Sequence, residues 1–280
     1  MTELLESGPA RGTAPSVRWS TDRCTIHQGD ALAVLASLPS DSVDALITDP
    51  PYSSGGMVRG DRMGSTTGKY VTTGRAVADV PFAGDTRDQR AYGYWCALWL
   101  SEALRVVRPS GLAILFTDWR QLPTTTDALQ AGGWVWRGIV PWVKPAGTYR
   151  PQAGRFAAQC EYVVWGSRGE LPVRMGIDPT FSGFFHGRTP RDREHIAQKP
   201  LDVMLELIRI VPPGGTVLDL FMGSGTTGVA AVAEGRRFVG VEVVDHYAAT
   251  AERRIRAAMG DAVPGPDGQT ALLLDDGDPG

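Results

Sequence analysis

The sequence predicts an α/β fold in which a mostly parallel sheet is covered by helices on both faces. Short apolar runs, amphipathic stretches alternating with them, and a length suited to one large domain all point to it. The runs are Val43–Thr48, Leu112–Thr117, Val217–Leu220 and Phe238–Val243. Continuous apolar runs this short, bounded by turn residues, read as strands buried on both faces. Asp30–Leu38 repeats Leu32, Leu35 and Leu38 at helical spacing, and Tyr94–Val107 repeats Leu98, Leu104 and Val107. Pro200–Ile210 places Leu201, Met204, Leu205 and Ile208 on one face, and Thr226–Glu234 and Tyr247–Ala258 are the last two helices. Strand and helix in alternation imply a layered sheet domain. A chain of 280 residues buries a sizeable core without a disulfide or metal staple.

Composition narrows the function classes. Apolar residues at 42% and charged residues at 21% are the balance of a globular protein, which excludes wholesale disorder. No apolar run approaches the roughly 20 residues of a membrane span, and the first residues lack a signal-peptide core, so a soluble cytoplasmic protein is expected. Cys24, Cys96 and Cys160 lie far apart with no CxxC pair, which argues against a metal site and against a disulfide framework. The net charge of -3 conceals ten Lys or Arg against five Asp or Glu between Arg137 and Lys199. That basic middle permits a polyanionic partner; codon bias toward Arg, at 25 Arg to 3 Lys, explains it equally well.

Two motifs carry chemistry. Val217–Leu220 runs into Phe221-Met222-Gly223-Ser224-Gly225-Thr226-Thr227-Gly228 and then a helix rich in Ala and Val, which places GxGxxG in a strand–turn–helix setting. Glu242 follows 19 residues after Gly223, at the end of the next strand, where an acid can accept hydrogen bonds from ribose hydroxyls. A tight turn that merely packs helix on strand is the competing reading. A dinucleotide-binding fold opens with this fingerprint and continues through further βα units, whereas only one strand and one helix follow here, so NAD is disfavoured. The second motif, Asp49-Pro50-Pro51-Tyr52, ends another buried strand and should share a rim with the Gly-rich turn, because ligands of open α/β sheets bind beyond the strands' carboxyl ends. Its prolines fix the backbone and donate no amide hydrogen. Asp49 and the Pro50 carbonyl can together bind an amino group, and Tyr52 offers a face to a planar base; a proline-punctuated turn with a capping Asp is the bland alternative.

With these motifs in this order, the sequence resembles the S-adenosylmethionine-dependent amino-group DNA methyltransferases, in the permuted subgroup whose catalytic motif precedes the cofactor motif. Gly29-Asp30, His195-Ile196-Ala197-Gln198-Lys199-Pro200 and Gly240-Val241-Glu242 extend the match over most of residues 24–257. Leu220 departs from it, since the family usually has Pro there. The resemblance implies a Rossmann-like methyltransferase fold: a seven-stranded, mostly parallel sheet with its last hairpin reversed. It also implies S-adenosylmethionine as cofactor and double-stranded DNA as partner, with a flipped base as substrate and no metal. Asp49, Pro50, Pro51 and Tyr52 become the catalytic turn. Asp30, Asp219, Phe221, Gly223, Ser224, Gly225, Thr226, Thr227, Glu242, Gln198 and Lys199 become the cofactor side. Asp at the first motif position resembles the adenine-N6 enzymes, whereas cytosine-N4 enzymes more often carry Ser. Protein glutamine methyltransferases have the two motifs in the opposite order, and a DNA-binding module that has lost catalysis remains the non-enzymatic rival. Members of the subgroup often form dimers.

The expected organisation is a flexible segment over residues 1–22, a catalytic domain over 23–258, and an acidic flexible tail over 259–280. Within the domain, Ser53–Asp88 reads as a mobile loop that closes over the flipped base. Lys144–Arg193 reads as an insertion attached to the sheet and holding the target-recognition segment. Arg150, Arg155, Arg188, Arg191 and Arg193 are its candidate DNA contacts, since Arg serves both phosphate binding and guanine reading. Trp134, Trp136 and Trp142 are expected in the core or at a hinge.

Overall fold

The computed structural model describes residues 14–52, 87–147, 153–172, 179–188 and 198–260, with the backbone of 263–264 and 270–271. The chain opens with strands β1 (Ser16–Ser20) and β2 (Cys24–Gln28), helix α1 (Ala31–Ser37) and strand β3 (Val43–Thr48). Helix α2 (Gln89–Val106), strand β4 (Val107–Thr117), helix α3 (Leu122–Ala131) and strands β5 (Val135–Val143), β6 (Cys160–Ser167) and β7 (Phe185–His186) follow. Helix α4 (Leu201–Ile208), strand β8 (Thr216–Asp219), helix α5 (Thr226–Ala233), strand β9 (Arg237–Glu242) and helix α6 (Asp245–Met259) close the domain.

The sheet has nine strands in the order β1-β2-β9-β8-β3-β4-β6-β5-β7, not seven. The expected seven form its middle, and β1 and β7 extend its edges. From β2 to β4 all neighbours are parallel; β5 and β6 then form the expected reversed hairpin, β6 lying antiparallel between β4 and β5. Strand β1 lies within the segment expected to be flexible. It pairs antiparallel with β2, and Arg18 fastens it to α6 through Asp245 at 2.6 Å and Glu252 at 3.0 Å.

Both faces of the strands are apolar because both are covered. Ala45 and Ile47 of β3 face the cluster built with α4, α5 and α6, while Leu46 between them faces α1, α2 and α3. The period of two along a strand thus loads two cores at once. Strand β6 explains a misreading of the basic stretch. Cys160–Ser167 lies inside Lys144–Arg193, yet it pairs along its length with β4 and β5, and Val163 and Val164 are buried on opposite faces. That part of the span is sheet, not insertion. Its apolar run is short and crowded by aromatics, which hid it.

The helices bury different stripes from those the leucines suggested. In α2 the buried face is Tyr92, Cys96, Trp99, Leu100, Ala103 and Val106, a better fit to a 3.6-residue period, and Leu98 is exposed. In α4 Val203, Met204, Leu207 and Ile208 are buried while Leu201 lies outside. Trp134 and Trp142 are core residues; Trp136 is exposed. No helix among the described residues is long and apolar enough to cross a membrane.

Candidate active site

Four adjacent parallel strands, β2, β9, β8 and β3, end on one rim, and a cavity of about 230 Å³ opens beyond their carboxyl ends. Each strand delivers one motif. Gly29 and Asp30 follow β2, Glu242 ends β9, Asp219 ends β8 with the Gly-rich turn after it, and Asp49–Tyr52 follow β3; all these segments line the cavity. The register of the sheet therefore brings together residues separated by 171 positions, as in the hydrogen bond from Thr48 to Asp219.

The Gly-rich turn is held from below and from the side. Asp219, 2% exposed, accepts hydrogen bonds from Thr48 Oγ1 at 2.6 Å, from the Phe221 amide at 3.1 Å and from the Thr227 hydroxyl. Burial pushes its carboxyl above the ordinary range against these donors. Arg254 of α6 reaches across to donate to the Ser224 carbonyl at 2.6 Å and to the hydroxyls of Ser224 and Thr226. Gly225 turns the chain at φ +80°, and a Cβ there would sit 2.8 Å from Ala251 Cβ. Of the fifteen catalytic and cofactor candidates it alone stays off the cavity wall; its part is the turn itself.

Glu242 is anchored in its place. Its two carboxylate oxygens accept from the Gly223 amide at 3.0 Å and the Val244 amide at 2.9 Å. Burial nevertheless raises its carboxyl to about 7, the backbone donors only partly offsetting the lost hydration. Asp30 caps α1, its Oδ1 accepting from the amides of Leu32 and Ala33. An aromatic wall closes one side: Trp95 lies 5.2 Å from Phe221, centroid to centroid, and the Arg87 guanidinium stands 4.0 Å over the Trp95 ring.

On the side of the Asp-Pro-Pro-Tyr turn, Lys199 is 7% exposed and donates to Asp49 Oδ2 at 2.5 Å. Burial raises the Asp49 carboxyl to about 6 even beside this ammonium, while the carboxylates of Asp49 and Glu161 hold Lys199 above its ordinary value against the same burial. Asp49 Oδ1 is buried without a hydrogen-bond partner among the described residues. An unpaired buried acceptor is costly and marks a place built for a donor. Tyr52 and Gln198 also line the cavity.

Sequence reasoning missed several members. Glu161, Thr48, Arg254, Arg87, Trp95 and Met204 carry no local motif; Arg87 reaches the site from the connection ahead of α2, and the others through a strand or helix face that only the fold defines. Among the Arg candidates, Arg155 and Arg188 are exposed and do not line the cavity. Arg150, Arg191, Arg193 and His195 lie outside the described residues, as does residues 53–86 of the expected loop. No group of His, Cys, Asp or Glu able to hold a metal occurs among the described residues.

A parallel sheet whose strand ends combine a Gly-rich turn, a buried acid at the end of the next strand and an Asp-Pro-Pro-Tyr turn defines a nucleoside-cofactor enzyme. The chain belongs to the DNA methylase family of the N6 and N4 amino-methyltransferases, which its residues 43–180 and 176–253 match. It is 30% identical over 235 residues to the protein YubD of Escherichia coli (strain K12), covering 83% of this chain and 90% of that one. Among solved structures, the M1.HpyAVI–SAM complex is 24% identical with a TM-score of 0.59, over 83% of this chain and 98% of that one. The cytosine-N4-specific PvuII DNA methyltransferase is 19% identical with a TM-score of 0.60, over 84% of this chain and 87% of that one. The fold is therefore that of the DNA methyltransferases.

Proposed function

We propose that the protein transfers a methyl group from S-adenosylmethionine to the N6 amino group of adenine in double-stranded DNA. The observation that carries this reading is Asp49 Oδ1, a buried acceptor at the wall of the cavity without a partner among the described residues. An exocyclic amine supplies the missing donor. Asp rather than Ser at this position favours adenine over cytosine, through the resemblance of the motif to the adenine-N6 enzymes.

The cavity suits the cofactor on chemical grounds. Among the described residues that line it, Asp30, Asp49, Asp219 and Glu242 outnumber Arg87 and Lys199, a lining that favours a cation, and S-adenosylmethionine carries a sulfonium and an ammonium. Trp95 and Phe221 provide an apolar face for its adenine, and Glu242 is placed for its ribose. When bound, S-adenosylmethionine supplies an electrophilic methyl group. The chain's own residues do the positioning on which an in-line displacement depends. Asp49 and the Pro50 carbonyl orient the amine so that its lone pair points out of hydrogen bonding. Tyr52 stacks on the base, which must leave the duplex to reach the pocket. As the amine nitrogen gains its bond to carbon and becomes cationic, Asp49 stabilises it and receives the departing proton. Pro51 and the turn it stiffens keep Asp49 aligned. Arg150, Arg155, Arg188, Arg191 and Arg193 contact the DNA.

Mass spectrometry of nucleosides from unmethylated plasmid, incubated with the protein and S-adenosylmethionine, tests this. N6-methyladenine is the expected product. N4-methylcytosine would keep the mechanism and overturn the choice of base, and neither product would overturn the reading as a whole.

A further inference from the structure

We propose that Glu161, which does not line the cavity, is a positioning residue for the methyl transfer: it holds Lys199 in a bridge between two carboxylates, so that Asp49 keeps one oxygen free and basic for the substrate amine. The inference rests on the proposed role of Asp49.

The geometry is a line of alternating charges running inward from the pocket. Lys199 Nζ lies 2.5 Å from Asp49 Oδ2 and 3.5 Å from Glu161 Oε2. Lys144, immediately after β5, lies 2.6 Å from Glu161 Oε1 on the far side. The Tyr52 hydroxyl, 3.5 Å from Glu161 Oε2, ties the same carboxylate to the base-stacking residue. All four charged groups are largely withdrawn from solvent, at 7% to 19% side-chain exposure, so their mutual fields are weakly screened.

A lysine paired with Asp49 alone would work against the chemistry. It would hold the carboxylate's electrons and lower its affinity for the proton that the amine releases. Glu161 takes a share of that ammonium, and Lys144 in turn limits how much Glu161 takes. The groups facing Asp49 act as follows: Lys199, ahead of α4, lowers its proton affinity, and Glu161 of β6 and Asp219 of β8 raise it. The Tyr92 phenol of α2, which stays neutral in its buried position, also feels Asp49. Lys199 and Lys144 hold Glu161 below the ordinary carboxylate range although burial alone would raise it, so it is ionised whenever Asp49 titrates.

The bridge makes two perturbations act in opposite directions. In Glu161→Gln, Lys199 turns wholly to Asp49, whose proton affinity falls. In Lys144→Met, Glu161 draws Lys199 more strongly and the proton affinity of Asp49 rises. The experiment is a carboxyl-carbon NMR titration of the full, ligand-free chain, with Asp49→Asn to assign the signal. The Asp49 midpoint is expected to fall by about 1 pH unit in Glu161→Gln and to rise by about half a unit in Lys144→Met. The acid limb of the methylation rate should move the same way, with kcat about tenfold lower in Glu161→Gln and KM for S-adenosylmethionine unchanged. Midpoints unmoved in both variants, or moved in the same direction, would overturn the proposal. If Glu161→Gln fails to fold by circular dichroism, Lys144→Met carries the test, and an unmoved or lowered midpoint there refutes it. Absence of methylation by the unaltered protein would fail the functional reading alone, because the titration needs neither cofactor nor DNA.

Discussion

The Glu242 carboxyl gives the sharpest prediction about what the pocket costs the fold. Burial raises it from its ordinary 4.5 to about 7, against backbone amides, those of Gly223 and Val244 foremost, that favour the ionised form. In the unfolded chain the group releases its proton near 4.5; in the folded one it keeps it to about 7. The folded state therefore binds more protons across that window, and stability is lost as pH rises through it. At about 1.4 kcal/mol for each pH unit the loss is about 3 kcal/mol, complete by about pH 8. Glu242→Gln removes the titration and keeps the shape. The amide also mismatches one of the two backbone donors, a penalty that does not change with pH. Urea unfolding of both proteins at pH 5 and pH 8 separates the two effects: the stability of Glu242→Gln relative to the unaltered chain should improve by about 2.5 kcal/mol between them. In thermal melts that is a relative gain of about 5–10 °C for a domain of this size. Parallel stability curves from pH 5 to pH 8 would refute the claim that this carboxylate is buried at a cost. A cation bound in the pocket should recover that cost, so S-adenosylmethionine should stabilise the unaltered protein more at pH 8 than at pH 5, and Glu242→Gln should lose that difference.

Three other changes test separate parts of the site. Asp49→Ala should lower the methylation rate by a factor of about 10² to 10⁴ while calorimetry shows S-adenosylmethionine still binding; in the unaltered enzyme the rate should fall as pH drops below about 6, where Asp49 takes up its proton. Thr48→Val removes a 2.6 Å hydrogen bond to the buried Asp219 and should cost about 2–3 kcal/mol in denaturant unfolding; a cost near zero would mean that the loop does not depend on this link. Gly225→Ala forces a Cβ to within 2.9 Å of the Ala251 backbone at φ +80° and should destabilise by about 2–4 kcal/mol, against about 1 kcal/mol for Gly235→Ala, which has φ +72° but open space around it; equal costs would show that backbone conformation rather than contact with α6 is what matters.

What the sequence made legible was local. The four strands with continuous apolar runs and the five helices beside them are present, because burial on two faces leaves an unmistakable run and a helix leaves a period. Strand β2 reads Cys-Thr-Ile-His-Gln, with only Cys24 and Ile26 fully inside, and helix α3 carries Thr124, Thr125 and Thr126 where leucines would have shown it. Neither announces itself. Counting leucines also misplaced the buried face of α2, since Tyr92, Cys96 and Trp99 do the packing there. The site was legible where a turn demands particular residues, as at Gly223 to Gly228 and Asp49 to Tyr52. It was not legible where a lone side chain such as Glu161 or Arg254 arrives from a distant element, since the relation between them exists only once the sheet has assembled.

The junction between β3 and β8 explains why these two motifs can lie far apart in the chain and still act as one. From β8 the chain continues through α5 to β9 on one side; from β3 it continues through α2 to β4 on the other. The crevice between two such diverging connections is where open α/β sheets accept ligands. Here it is closed at its base by Thr48 and Asp219, one residue from each strand end. Asp219 bonds at the same time to Phe221 and Thr227 of the Gly-rich turn, while Thr48 is followed directly by Asp49. A displacement of the Gly-rich turn therefore acts on Asp49 through two buried hydrogen bonds and one peptide unit. In-line transfer tolerates little error in the position of either partner. A rigid base shared by the Gly-rich turn and the Asp-Pro-Pro-Tyr turn meets that demand whichever of the two motifs the chain places first.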